Sequence, residues 1–260
     1  MSMKLIGKLL INGEIEALTG LAIGGSKSDV SIGGIDNNVI KTAEGVPFIP
    51  GSSLKGKFRS LLERKKGKEI VCNCGEKNCE ICVIFGKGMK NRKNDKEEKS
   101  ESGPTRLYVR DAYLTEATKN MMENKEGIFS NLELTYTEIK WENTIDRVQS
   151  KAEHPRQQER VPAGSKFEFN MVYNLLKKDD VAMFKHVIEA MNLLEDDYLG
   201  GNGSRGYGRV KFDKLEIVCR TVADYEAGTP GQTIYTGTLP DLKIDPLIDE
   251  ILSLVREEAV

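Results

Sequence analysis

Between Lys4 and Ala17 the chain alternates. Leu9, Ile11, Ile15 and Ala17 fall on one side and Lys8, Asn12, Glu14 and Glu16 on the other, with Leu10 out of phase. That period of two predicts a half-buried strand. Thr19 to Gly25 follows, and then Ser26 to Gly34 carries so much Gly, Ser and Asp that a long loop is expected, closed by Ile35 to Ile40. Pro47 and Pro50 disfavour helix just before them. Beyond them Ser52 or Ser53 can cap a helix whose apolar stripe is Leu54, Phe58, Leu61 and Leu62. Lys87 to Gly103 is rich in Lys and Glu with almost no apolar residue, so it reads as a mobile loop. Thr105 to Leu114 is a strand candidate, and Leu132 to Trp141 alternates again. Glu142 to Arg160 is polar and charged and reads as an arm leaving the core.

Ser165 to Tyr173 is a clean strand, with Phe167, Phe169, Met171 and Tyr173 opposite Lys166, Glu168 and Asn170. Asp179 or Asp180 then caps a helix with Val181, Phe184, Val187, Ile188, Met191 and Leu194 on one face. A glycine-rich loop, Leu199 to Arg209, leads into a further strand. Thr221 to Leu242 looks like an extended tail, and Asp245-Pro246 opens a last helix. This order of elements fits an α+β, ferredoxin-like (RNA-recognition-motif-like) core with insertions. The expected division is a core over 1–220, interrupted by inserts at about 67–103 and 131–162, and a tail with a helix over 221–260.

Composition narrows the function. A length of 260 residues, with 39% hydrophobic residues, permits one large core or two small ones. The net charge of −2 excludes a globally basic nucleic-acid binder, so any such site must come from local clustering. No apolar run approaches the ~18 residues of a membrane span. The N-terminus lacks the apolar core of a signal peptide, so a cytoplasmic protein without membrane partners is expected.

Three stretches carry candidate chemistry. The helix opening at Pro50-Gly51 has Ser52, Ser53, Lys55, Lys57 and Arg59 near its start. Free backbone N–H groups there would suit a phosphate backbone, and an ordinary lysine-rich surface helix is the alternative. Cys72, Cys74, Cys79 and Cys82 form C-x-C-x4-C-x2-C, and Gly75 and Asn78 supply the turn. Four thiolates this close can converge tetrahedrally on Zn²⁺, leaving no open position, so the site reads as structural; disulfides are the alternative, but they need an oxidising compartment for which the sequence gives no signal. Gly201, Gly203 and Gly206 match G-x-G-x-x-G, but the loop follows a helix and enters a strand, the reverse of a dinucleotide fold. Arg205 to Phe212 is closer to an RNA-recognition pattern, with Arg209 where an aromatic is expected. Glycines with Arg205 and Arg209 allow backbone N–H groups to approach phosphates. In the arm, Arg147, Lys151, His154, Arg156 and Arg160 suit a nucleic acid or a plain charged hairpin equally. Asp36 alone reads as a turn residue, His186 as a surface histidine and Cys219 as a buried thiol.

Several long motifs, in order, resemble the backbone RAMP subunit of type III-A (Csm) CRISPR effector complexes. They are Leu18-Thr19-Gly20-Leu21-Ala22-Ile23-Gly24-Gly25, Ile32-Gly33-Gly34-Ile35-Asp36, Ile49 to Arg59, Lys140 to Arg147, Glu159 to Ser165 and Gly200 to Arg209. The resemblance runs from about Ile6 to Cys219. It implies a RAMP core whose copies stack along a CRISPR guide RNA, beside other Csm effector subunits. Ser52, Ser53, Lys55, Lys57, Arg59, Arg147, Arg160, Gly201, Gly203, Arg205, Gly206 and Arg209 would then grip RNA. The arm would be a thumb β-hairpin that wedges into the guide–target duplex at regular intervals.

By the same resemblance, Asp36 would be the catalytic residue for target RNA cleavage with Mg²⁺ or another divalent metal. An exposed aspartate is a poor base at neutral pH, which favours a metal-holding role. Family members often carry a histidine where this chain has Ala22. The cysteine cluster is not universal among them and fits a zinc-stabilised insert. Two alternatives remain: an RNA-binding scaffold without catalysis, and a metal-independent guide-processing ribonuclease, which would want a histidine near neutral pKa.

Overall fold

In the computed structural model the residues described are 3–25, 37–88, 100–146 and 148–255. Asp36, Arg147, the His154 side chain and most of the loops read at 26–34 and 87–103 lie outside them.

The alternating first segment becomes β1 (Gly7–Ala17), which lies inside a seven-stranded sheet. It pairs antiparallel with β7 (Lys166–Leu175) on one side and β8 (Val210–Thr221) on the other. The register places Leu9 opposite Tyr173 and Cys219, and Ile11 opposite Met171 and Ile217, so one face of all three strands is apolar. A register shift between Asn12 and Glu14 marks a bulge in the β1–β8 pairing. Beyond β7 come β3 (Leu107–Val109) and β4 (Ala112–Leu114), both paired with it, and then β2 (Phe48–Ile49) on β4. The ferredoxin-like order, fourth strand, first, third, second, is therefore present as β8, β1, β7 and the β3–β4 pair.

Helices cover the apolar face. α1 (Gly51–Lys65) buries Leu54, Phe58, Leu61 and Leu62, the stripe read from the sequence. The Phe58 ring centre lies 6.2 Å from that of Phe212, which meets Phe169 edge-on at 5.4 Å. α4 (Asp179–Met183) and α5 (Lys185–Glu195) continue the layer with Val181, Phe184, Val187, Ile188, Met191 and Leu194 buried. The opposite face, carrying Lys8, Leu10, Asn12 and Glu14 from β1, is only half-buried. The short helix α2 (Glu80–Phe85) belongs to the cysteine insert, and α3 (Glu116–Glu123) follows β4 directly.

Several expectations need correction. The strand over Thr105 to Leu114 is broken at Arg110 and Asp111, where the register on β7 slips by one residue and the Asp111 carboxylate accepts the Gly51 N–H at 2.8 Å. That bond also displaces Ser52 and Ser53 as caps: α1 starts at Gly51 with Pro50 at the cap position and no side-chain cap of its own. Residues 132–137 are not strand. The hairpin is β5 (Glu138–Asp146) with β6 (Lys151–Arg160), and Leu132 and Thr137 before it are buried. Asp180 does not cap from outside its helix. It is fully buried and paired with the equally buried Arg106 at 2.9 Å, while the Leu176 and Lys177 N–H groups also donate to it. The extended tail is ordered structure. A capping box of Thr221 and Asp224 starts α6 (Val222–Ala227), and β9 (Gln232–Gly237) extends the sheet beside β8. α7 (Ile244–Leu254) buries Leu247 and Ile251.

Candidate nucleic-acid interface

Three separate chain segments meet around residues 18–25. The Gly208 N–H donates to the Gly20 carbonyl at 3.0 Å and the Gly201 N–H to the Ala22 carbonyl at 2.8 Å, which docks the glycine-rich loop on one side. Leu21 and Val161 exchange two backbone hydrogen bonds, 2.9 and 2.8 Å, which docks the base of β6 on the other. The Ile40 N–H reaches the Ile23 carbonyl at 2.8 Å. Such close approach needs glycine. Gly208, at φ +74°, leaves no room for a Cβ against the Leu199 carbonyl, and Gly200, at φ +79°, none against the Ala22 carbonyl.

The hairpin is locked at its base by charge. The Tyr207 hydroxyl donates to Glu142 Oε1 at 2.9 Å, and Arg156 Nη2 donates to Glu142 Oε2 at 3.2 Å. Lys140 and Arg160 lie over the Tyr207 ring at 4.6 and 5.0 Å, and Arg160 Nε also donates to Glu138 at 2.6 Å. Burial pushes the Glu142 carboxyl up, but the Tyr207 and Arg156 hydrogen bonds outweigh it and hold the group below its ordinary value of 4.5. Burial, and then Glu142 itself, push the Tyr207 hydroxyl up to about 12. Tyr207 and Phe212 are therefore core and network residues, so the glycine-rich loop offers neither as a stacking platform. Trp141, between Lys140 and Glu142 in β5, is 62% exposed, and toward the tip Ile145 is 63% and Val148 93% exposed, an apolar set on a polar hairpin.

Glu159 ties the segment after Asp36 to this base. Its buried carboxylate accepts from the Val39 N–H at 3.0 Å, the Thr137 hydroxyl at 2.7 Å and Lys41 Nζ at 2.5 Å. Its own N–H donates to the Asn37 carbonyl at 3.0 Å.

The RNA-binding residues expected from the sequence fall into three groups. Arg160, Gly201, Gly203, Arg205, Gly206 and Arg209 gather around Tyr207, with Arg205 and Arg209 exposed. Lys57 joins them through Asp197 at 3.1 Å and the Tyr198 ring at 3.6 Å. Ser52, Ser53 and Lys55 stand apart at the start of α1, where Asp111 already partners the first N–H. Lys55 Nζ donates to Thr105 Oγ1 at 3.1 Å, and burial, then Arg59, lower its pKa. Arg59 is turned inward: it donates to Glu63 at 2.9 Å, to the Gly86 carbonyl at 3.1 Å and to the Cys72 carbonyl. Glu63 in turn accepts the Cys72 N–H at 3.0 Å. Arg59 thus clamps the cysteine insert onto α1.

The four insert cysteines converge. Their Sγ atoms all lie within 4.8 Å of one another, with separations of 3.6 to 3.9 Å for the bonded pairs. Disulfides need about 2.0 Å. A tetrahedral ion with ligands at ~2.3 Å spaces its sulfurs by about 3.8 Å, so the cluster can hold a metal ion.

Sequence reasoning missed Glu142, Glu159, Tyr207, Asp111 and the apolar set on the hairpin. Trp141, the single tryptophan of the chain, is the available signal for the last.

The chain belongs to the RAMP superfamily, whose family model matches residues 14–211. Among its relatives is the CRISPR system Cms endoribonuclease Csm3 of Methanocaldococcus jannaschii, 47% identical over 235 residues, 86% of each chain. The protein of the same name from Streptococcus thermophilus is 39% identical, over 80% of this chain and 89% of that one. The fold is similar to a chain in the crystal structure of the Csm3–Csm4 subcomplex of the type III-A CRISPR-Cas interference complex. The TM-score is 0.57 and the identity 35%, with 98% of this chain and 97% of that one covered. No helix among the described residues is long and apolar enough to cross a membrane.

Proposed function

We propose that this chain is a guide-RNA-binding filament subunit of a type III-A CRISPR effector, and that it cleaves complementary target RNA at regular intervals. The observation that carries the reading is the 47% identity, over 86% of each chain, to a protein named as an endoribonuclease of that system. The geometry agrees. A hairpin with an apolar outer part stands on a charge-locked base, beside a glycine-rich loop with exposed Arg205 and Arg209.

Cleavage uses little machinery. A wedge such as Trp141 unstacks one target nucleotide and frees its ribose from helical geometry. The 2′-hydroxyl gives its proton to water as its oxygen attacks the adjacent phosphorus in line, and the departing 5′-oxygen takes a proton from water, leaving a 2′,3′-cyclic phosphate and a 5′-hydroxyl. Positioning supplies much of the acceleration. Asp36 would hold Mg²⁺ or another divalent cation, which when bound supplies positive charge beside the phosphorane oxygens. The carbonyl of Asn37, the next residue in sequence, accepts the Glu159 N–H at the root of the hairpin. Zn²⁺ is the ion we assign to Cys72, Cys74, Cys79 and Cys82, in a structural role.

The test compares assembled wild-type and Asp36→Ala complexes on a complementary target RNA. The reading expects cuts to vanish in the variant, with guide and target binding unchanged. Equal cutting by both would remove Asp36 from catalysis and leave a scaffold.

A further inference from the structure

The open face of the sheet is electrically divided, and the division does not follow from the interface described above. One cleft on it, of about 700 Å³, is bordered by Glu14, Asp111 and Glu168 against Arg110 and Lys214. The other, of about 600 Å³, is bordered by Lys8, Ser52, Lys55, Tyr108, Arg110 and Asn174. That lining holds three cations and no carboxylate, which makes it a site for anions.

Its neighbours strengthen the case. Lys8 sits between Asn174 and Arg220 in the cross-strand register. Asn174 Oδ1, in the lining, is a buried atom without a hydrogen-bond partner among the described residues, whereas Arg220 on the other side of Lys8 already lies over the Tyr225 ring at 4.1 Å. Neither Lys8 nor Arg110 makes an ion pair with a described residue. Such a group of unpaired cations with an orphaned polar atom invites an external partner. Tyr108 is 48% exposed and lies opposite Val172 in the next strand, so an aromatic face is available beside the cations.

We infer that a single RNA strand continues from the start of α1 onto this cleft, with phosphates at Lys8 and Arg110 and one base against Tyr108. The inference rests on the reading of the chain as a guide-binding subunit, and it adds residues outside every motif that carries that reading. Phosphates explain the cations, a base explains the tyrosine, and the acidic neighbouring cleft bounds the track.

The test is binding of a fluorescein-labelled single-stranded RNA by the full chain, measured between about 50 and 200 mM salt. Lys8→Gln and Arg110→Gln together should weaken binding and flatten the plot of log affinity against log salt by about 0.7 for each phosphate that is no longer neutralised. Tyr108→Ala should weaken binding about 5- to 100-fold with the slope unchanged, and Tyr108→Phe should restore it. These side chains are half-buried or exposed, so melting temperature should stay at the wild-type value. Wild-type affinity and slope in the Lys8/Arg110 variant would overturn the inference. A change only in the number of copies per complex would overturn it too, by assigning the face to contact between chains. Lys55→Gln separates the two levels. If it weakens RNA binding while the sheet variants do not, the track alone fails. If it also has no effect, the reading of α1 as a guide contact fails.

Discussion

The cysteine insert and the hairpin interrupt the same core and are held in opposite ways. The described residues of the insert are tied to the core at several points: Arg59 and Glu63 bond its backbone, Thr105 Oγ1 donates to the Ile84 carbonyl at 2.8 Å, and Ile81, Val83, Ile84 and Phe85 are buried, with Ile70 and Val71 left exposed at its start. Among the described residues the hairpin is gripped in its lower half, by Glu142, Tyr207 and Glu159; it exposes Trp141 there and Ile145 and Val148 toward the tip. An insertion tied to the core at many points serves the fold. One secured at the root with an apolar outer part is built to meet something else.

The largest way to break that contrast is to empty the insert. Cys72→Ser with Cys82→Ser, or treatment with a strong chelator, should lower the melting temperature by about 5–10 °C, because ligand loss uncouples the insert from α1. Burial pushes the thiols of Cys79 and Cys82 up, so metal loading must release protons and should weaken as pH falls. A pH series of metal content checks this. Next comes the clamp. Arg59→Ala leaves the buried carbonyl of Cys72 and the Glu63 carboxylate short of a donor, for a cost of about 2–3 kcal/mol in denaturant unfolding.

The root of the hairpin should be milder. Tyr207→Phe removes one buried hydroxyl bond and should cost about 1 kcal/mol. Because the folded Glu142 carboxyl lies below 4.5, its contribution is complete above that pH and is lost as the pH falls through the folded value. Glu142→Gln should remove that acid sensitivity in a melting series. The smallest effect on stability belongs to Trp141→Ala, within about 0.5 kcal/mol of wild type. The same variant should weaken capture of target RNA about tenfold, measured on assembled complexes.

Local pattern makes much of this legible. Residues 7–17 and 166–175 alternate, apart from Leu10 and Val172, and four cysteines within eleven residues announce their cluster. The start of α1 is not legible in the same way, because its cap, Asp111, is sixty residues away in sequence. β9 is hidden for a related reason. Gln-Thr-Ile-Tyr-Thr-Gly is short and weakly patterned, Gly228, Pro230 and Gly231 precede it, and only pairing with β8 makes it a strand. The Glu142–Tyr207 bond joins two motifs that the resemblance selects, but sequence spacing says nothing about their contact.

One paired measurement tests the division of labour most directly. Target RNA cleavage and melting temperature are recorded for assembled complexes carrying Asp36→Ala and, separately, Cys74→Ser. We expect Asp36→Ala to abolish the cuts at an unchanged melting temperature, and Cys74→Ser to lower the melting temperature while leaving the positions of the cuts unchanged. Full cutting by the Asp36→Ala complex, or a changed spacing of cuts in the Cys74→Ser complex, would contradict the account.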